Sequence, residues 1–271
     1  MSKLLDGKRV AAKLKKNLIR KFGCGVNGLA AILVGRNPAS ILYLKKKAAM
    51  AKELGVEFSV HQFGADASET AIIRRIQSLN NDRKVGGIIV QLPLPKKFNS
   101  VRIVNSIAPA KDVDGMTDSN IANGVVLPAT AAGILELLAE YEIATKHKKI
   151  VLLGFSRLLN VPLSIYFGRR GNSVVVLQKD TQDMNQLKQA DIVISATGTP
   201  RLIKGNLIKE GAVVIDAGIA RVRGKIVGDA DIKSVSRKAG YLSPVPGGVG
   251  PMTVISLFAN LLSLKKSASE S

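Results

Sequence analysis

Tyr43 and Lys47 stand four residues apart in the run Ser40–Leu54, a spacing that brings both side chains to one face of a helix. A tyrosine there offers an aromatic face to a planar ligand and a hydroxyl beside the ammonium. A partly desolvated lysine can give and take a proton, which makes it a candidate general acid and base. Lys45 and Lys46 flank it, so the pair alone reads equally as a lysine covering a helix surface. Gln91 directly follows the apolar run Val85–Val90. A glutamine at the carboxyl end of a strand can orient a lysine or a carbonyl, or simply end the strand in solvent. Asp112 and Asp114 alternate across Val113 and face opposite sides if the chain is extended there. One can then accept from a ligand's amino-pyrimidine edge while the other pairs with Lys111 or a backbone group.

The segment Pro244–Thr253 reads PVPGGVGPMT. Three glycines and three prolines between Pro244 and Pro251 exclude a regular helix or strand over that stretch, because glycine admits positive φ and proline fixes φ and removes a donor. The result is a stiff loop, poor in side chains, whose backbone can lie against a flat ligand. By itself it also reads as an elaborate turn.

The elements that position these residues alternate. Apolar runs at 28–34, 57–63 and 85–90 predict strands, with helices expected at 40–54, 67–80 and 99–107. A second series has strands at 149–153, 173–177, 191–196 and 212–217 and a helix at 158–169, each strand from 191 onward ending in a glycine-containing loop. A last helix is expected over 252–264. Alternation of this kind predicts a parallel α/β sheet in each half, with sites at the carboxyl ends of the strands.

The composition bounds the rest. At 271 residues the chain is long enough for two domains. It is 46% hydrophobic without an apolar run of membrane-spanning length, and its first residues lack a signal-peptide core. The lone Cys24 fits a reducing, cytoplasmic setting, and His61 and His147 give no metal-site spacing. The net charge is +20, and 13 Lys/Arg against three acids before residue 62 supply half of it. Those cations surround Val10, Leu14, Leu18 and Phe22, the pattern of an amphipathic helix with a solvated basic face. With 4% aromatic residues and no tryptophan, platforms for stacking bases are scarce.

Taken in order, VGxxPAS (Val34–Ser40), YxxxK (Tyr43–Lys47), VQLPLP (Val90–Pro95), KDVDG (Lys111–Gly115) and PVPGGVGPMT resemble the bifunctional methylenetetrahydrofolate dehydrogenase/methenyltetrahydrofolate cyclohydrolase family, from about Leu5 to Leu262. The resemblance implies an N-terminal parallel-sheet α/β catalytic domain (1–130, with helix 252–264 packing back) and a Rossmann-like nicotinamide-binding domain (131–251). It implies oxidation of 5,10-methylenetetrahydrofolate with NADP, NAD being the alternative, followed by hydrolysis to 10-formyltetrahydrofolate in a cytoplasmic homodimer that feeds purine biosynthesis. Lys47 would be the catalytic lysine and Gln91 would hold it. Tyr43 would stack on the aminobenzoyl ring, Asp114 would grip the pterin, and Pro244, Val245 and Gly248 would line the folate cleft.

The cofactor half departs from the family pattern. Where the family reads G-[RA]-S-x-x-V-G-x-P, this chain has Gly154-Phe155-Ser156-Arg157-Leu158-Leu159-Asn160-Val161-Pro162. Asn160 adds a side chain where backbone should approach the pyrophosphate, and Phe155 removes an arginine. The usual His-Ser-[RK]-Thr stretch is Gln178-Lys179-Asp180-Thr181, so Lys179 remains for a 2′-phosphate while Asp180 repels it or binds an unphosphorylated ribose. Thr197, Gly198 and Ile219 complete the implied cofactor residues. Two alternatives stay open: a cyclohydrolase without redox chemistry, and a basic nucleic-acid-binding protein on this scaffold. Cations that flank the site residues without replacing them argue against the latter, and no membrane partner is expected.

Overall fold

The computed structural model describes residues 2–22, 28–124, 126–181 and 184–269. Cys24 lies outside them. The strands among them are β1 (Lys3–Leu4), β2 (Gly28–Val34), β3 (Phe58–Phe63), β4 (Val85–Val90), β5 (Lys149–Leu153), β6 (Ser173–Leu177), β7 (Ile192–Ser195), β8 (Val213–Asp216), β9 (Ala220–Val222), β10 (Lys225–Val227) and β11 (Tyr241–Leu242). The chain forms two compact units, Met1–Ala12 with Thr130–Thr253 and Lys13–Ala129 with Val254–Ser271.

In the 13–129 unit the sheet order is β3-β2-β4, all parallel. β2 (GLAAILV) and β4 (VGGIIV) read as continuous apolar runs because both sheet faces are covered. Their side chains and the buried face of helix Glu69–Asn81 (Ile72, Ile76, Leu79) form one core. The chain leaves β2 for β3 and returns to β4 on the opposite side of β2. The carboxyl ends of β2 and β4 therefore flank a topological switch point, where open α/β sheets bind ligands.

The 130–253 unit has a six-stranded parallel sheet in the order β1-β11-β8-β7-β5-β6. Here the reversal lies between β5 and β7. An antiparallel hairpin, β9–β10, projects from the end of β8.

The limits of β2, β4, β5 and β6 are those the sequence predicts. Three features differ. The helix expected at 99–107 spans only Ser100–Val104; the chain tightens into i, i+3 bonds at Ser106 and Ile107, and Ala108 is extended ahead of Pro109. The last helix runs Val249–Ser269, beginning inside the glycine-proline loop, since Pro251 falls in the first turn where no N–H is required. Residues 1–12 belong with 130–253, not with the first domain expected from sequence. Lys3 and Leu4 pair with Tyr241 and Leu242 of β11, and the Ser2 N–H donates to Ser236 O at 2.8 Å. Among the described residues no helix is long and apolar enough to cross a membrane.

Candidate active site

Helix Pro38–Leu54 starts at Asn37, whose side chain accepts from the N–H groups of Ala39 (2.9 Å) and Ser40 (3.2 Å), with Pro38 in the first turn. Its buried stripe is Ser40, Leu44, Lys47, Ala51 and Leu54. Lys47 thus occupies an apolar position of the i, i+3, i+4 pattern, while Lys45 and Lys46 point to solvent. That stripe separates it from its neighbours. Tyr43, one turn before it, is 39% exposed, with the Lys46 ammonium 5.6 Å from its ring centre.

The Lys47 ammonium lies 3.4 Å from Asp114 Oδ2, and the two side chains are 9% and 15% exposed. Burial pushes the Asp114 carboxyl above the usual range. Lys47 pulls it back, and the neighbouring Asp112 pushes it up again. Asp112 is the inward member of the alternating pair. It is fully buried, and its Oδ2 accepts from the Thr117 N–H (2.8 Å) and Asn120 Nδ2 (3.0 Å). Lys111 does not pair with it; its ammonium donates to Leu79 O (3.0 Å) and Asp82 O (2.7 Å), closing the end of helix Glu69–Asn81.

Backbone around Asp114 is held closely. Asp112 bridges to Ile88 of β4. Asn260 Nδ2 donates to both Val113 O and Leu127 O at 2.9 Å, a link the sequence reading missed. Gly115 sits at φ +65°, where a Cβ would run into the 126–128 backbone at 2.7 Å.

Gln91 follows β4 as expected. Its Nε2 donates to Leu92 O (2.9 Å), which also accepts from the Ser40 hydroxyl (3.3 Å). One carbonyl therefore ties the Gln91 loop to the helix carrying Tyr43 and Lys47. Gln91 Oε1 is buried without a protein partner. The side chain that meets Lys47 is Asp114; Gln91 Nε2 is spent on Leu92.

In the 130–253 unit, Gly154 follows β5 at φ +105°, and a Cβ there would press on Ala196 O at 3.0 Å. Backbone from the ends of β5 and β7 meets at the reversal without an intervening side chain. Phe155 is 73% exposed. Ser156 lies in the turn ahead of helix Asn160–Gly168, its hydroxyl accepting from the Leu158 N–H (3.3 Å) and its carbonyl from those of Leu159 (3.2 Å) and Val161 (3.1 Å). Asn160 is fully buried. Its Nδ2 points back to Leu153 O at 3.5 Å, and its Oδ1 is buried without a partner. The bulk expected to obstruct a pyrophosphate is turned into the core instead. Lys179 and Asp180 are exposed in the turn after β6, which is closed by two 3.1 Å bonds between Gln178 and Thr181.

Thr197 and Gly198 (φ +68°) form the loop after β7, and Ile219, 55% exposed, lies in the loop after β8. Burial lifts the Asp216 carboxyl to about 6 against the pull of the N–H groups that donate to it. In the glycine-proline segment the Gly248 N–H donates to Pro244 O (2.7 Å), and the Lys8 N–H donates to Gly247 O (3.2 Å). Gly7 needs its missing Cβ because the Gly248 carbonyl occupies that space. Val245 is half-buried and Gly248 buried. Lys47, Asp114, Tyr43 and Gln91 thus gather in one unit, and Pro244, Val245 and Gly248 belong to the other.

Comparison with known proteins finds two family models along the chain. A family model described as "Tetrahydrofolate dehydrogenase/cyclohydrolase, catalytic domain" matches residues 5–114, and one described as "Tetrahydrofolate dehydrogenase/cyclohydrolase, NAD(P)-binding domain" matches 128–269. The chain is 41% identical over 271 residues to the bifunctional protein FolD of Moorella thermoacetica, covering 96% of this chain and 97% of that protein. The solved bifunctional FolD methylenetetrahydrofolate dehydrogenase/cyclohydrolase of Campylobacter jejuni matches with a TM-score of 0.94 at 39% identity, covering 98% of this chain and all (100%) of the other. The Trypanosoma brucei FolD, solved with NADP cofactor and inhibitor, matches at 0.94 and 30% identity, covering 100% and 99%. This chain belongs to the tetrahydrofolate dehydrogenase/cyclohydrolase family.

Proposed function

We propose that this chain oxidises 5,10-methylenetetrahydrofolate with NADP and then hydrolyses the 5,10-methenyl product to 10-formyltetrahydrofolate, with Lys47 moving the proton in the second step. The observation that carries this reading is the Lys47–Asp114 pair, buried at the carboxyl end of a parallel sheet. Water adds to the methenyl carbon and releases one proton to solvent. The bond from that carbon to N5 then breaks. The Lys47 ammonium protonates N5 and takes the hydroxyl proton in return, leaving the formyl group on N10. Asp114 keeps the ammonium in place and accepts from the amino edge of the pterin. Tyr43 stacks on the aminobenzoyl ring, and Gln91 Oε1 is an acceptor still to be filled. Pro244, Val245 and Gly248 are further folate contacts.

The 130–253 unit suits a nicotinamide dinucleotide. Gly154 turns bare backbone toward the β5–β7 reversal, and Asn160 keeps its side chain out of that space. Bound NADP supplies the hydride acceptor. Gly154, Phe155, Ser156 and Asn160 are assigned to its pyrophosphate, Lys179 to the 2′-phosphate, and Thr197, Gly198 and Ile219 to the nicotinamide. Asp180 beside Lys179 makes NAD the second cofactor to try. A cytoplasmic homodimer supplying purine synthesis completes the reading; exposed Val176 on the sheet-edge strand β6 supports self-association.

The test follows reduced cofactor as purified protein oxidises 5,10-methylenetetrahydrofolate with NADP and, in parallel, with NAD. Turnover is expected with NADP. Silence with both, from protein that still hydrolyses methenyltetrahydrofolate, means that only the hydrolytic half operates.

A further inference from the structure

Two carboxylates that no role above uses lie under the carboxyl ends of β7 and β8. Asp229 is fully buried, and its Oδ2 accepts from the Ser195 hydroxyl at 2.6 Å and the Thr197 N–H at 2.7 Å. Asp216, also buried, accepts from the Gly218 N–H at Oδ1 (2.9 Å) and the Ala230 N–H at Oδ2 (2.8 Å). Both carboxylates need glycine beside them. A Cβ on Gly218 would overlap the Asp229 carboxylate, and one on Gly228 would overlap that of Asp216.

These contacts close a circuit. Asp216 at the end of β8 fixes Gly218, and Gly218 abuts Asp229. Asp229 fixes both the last residue of β7 and the loop that follows it. Ala230, next in the chain after Asp229, donates back to Asp216. Asp229 Oδ1 is buried with no donor, a costly arrangement if stability alone were served, since apolar packing would do that better. What the carboxylates supply is a fixed acceptor geometry for two adjacent loops.

Sheet order says what those loops serve. β6 lies on one side of β5, and β7 and β8 lie on the other. A dinucleotide with its pyrophosphate at the β5 turn extends its adenosine half toward β6 and its nicotinamide half over the ends of β7 and β8. We propose that Asp229, coupled to Asp216, is a positioning residue for the nicotinamide half of the cofactor. It sets the backbone of Thr197–Gly198 and Gly218–Ile219 without touching the ligand itself. This rests on the dehydrogenase reading above.

Calorimetric titration separates the two ends of the ligand, using NADP and adenosine 2′,5′-bisphosphate, which lacks the nicotinamide. Asp229→Asn keeps the shape and one acceptor oxygen but removes the charge; Ser195→Ala removes a single donor. Asp229→Asn is expected to weaken NADP about tenfold and to leave the bisphosphate nearly unchanged, with Ser195→Ala shifting NADP about threefold in the same direction. Hydrolysis of methenyltetrahydrofolate should stay near the level of the unaltered protein in both and reports that the fold is intact. Equal weakening of both probes, or unchanged NADP binding, overturns the proposal. If Asp229→Asn does not fold, Ser195→Ala decides: a selective loss of NADP sustains the brace, and no loss removes it. An unaltered protein that binds NADP but does not oxidise methylenetetrahydrofolate would defeat the dehydrogenase reading, while the two-probe comparison would still decide the brace.

Discussion

The two units solve the same topological problem with opposite electrostatics. At the carboxyl ends of β2 and β4, a helix brings a cation to Asp114 and leaves both side chains partly reachable. Under the ends of β7 and β8, Asp216 and Asp229 meet only hydroxyl and backbone donors and are sealed from solvent. Ionisable groups that exchange protons with a substrate must be reachable and must have a partner that stabilises each charge state. Groups that only shape a surface can be sealed, and then backbone N–H groups are the better partners because they cannot titrate away. On the proposed reading, one unit leaves its proton-moving pair, 9% and 15% exposed, within reach of substrate, while the other seals its carboxylates beneath two loops.

The comparison breaks most visibly at Lys47. Lys47→Met is expected to reduce methenyltetrahydrofolate hydrolysis by about 10³-fold while NADP binding stays intact. Near-normal hydrolysis would strip Lys47 of its role. The equivalent blow to the other unit is Gly154→Ala. A side chain at φ +105° that also presses on Ala196 O costs about 1–3 kcal/mol of strain, so calorimetry should show NADP affinity falling by about tenfold or more. Hydrolysis should survive, because Gly154 and Lys47 lie in different units. Loss of both activities together would contradict that separation.

Much of the first site was legible in the chain. Tyr43 and Lys47 stand out by their spacing and Gln91 and Asp114 by their place after an apolar run or in a tight turn, and the apolar runs of β2, β4, β5 and β6 gave their own limits. The burial of Lys47 beside Leu44 and Ala51, in contrast, is visible only in the fold. In the second unit the sequence points to loop residues such as Gly154, Thr197, Gly198 and Ile219, but not to the bonds that hold those loops. Asp229 accepts from residues 32 and 34 positions earlier, and no local periodicity encodes such a bond. The two-residue strands β1 and β11 are too short to show alternation and exist because they pair with each other across most of the chain. Asn260, reaching Val113 from 147 residues away, is hidden for the same reason: its position on the last helix looks like any polar residue of an amphipathic face.

A smaller effect sharpens the contrast between reachable and sealed carboxylates. Asp216 is lifted to about 6 in the folded chain from about 3.9 when unfolded. The folded state therefore binds the proton first, and this group favours folding as pH falls from about 7 toward 5. The contribution is lost again as pH rises through 6. His61, held below its usual range by burial and Arg75, acts in the opposite direction, so Asp216 is isolated by difference. Denaturant unfolding at pH 5 and 7 should show the unaltered protein gaining about 1 kcal/mol relative to Asp216→Asn over that interval. Parallel pH dependence in the two proteins would mean that Asp216 does not titrate there.

Asn160→Gly carries the smallest expected change in cofactor affinity and asks the sharpest question of the cofactor unit. The substitution restores the glycine of the family pattern at the first turn of the helix. If the asparagine stood in the path of the pyrophosphate, removing it should tighten NADP by about tenfold, the worth of one relieved polar contact. The side chain instead points to Leu153 O and is fully buried. NADP affinity should therefore change by less than about threefold, and stability should fall by about 1 kcal/mol from the added freedom of glycine in the unfolded chain. A large gain in affinity would show that the inward rotamer is not the one the dinucleotide meets. A small one would mean that this departure from the family pattern is absorbed by the core and leaves the binding surface as it was.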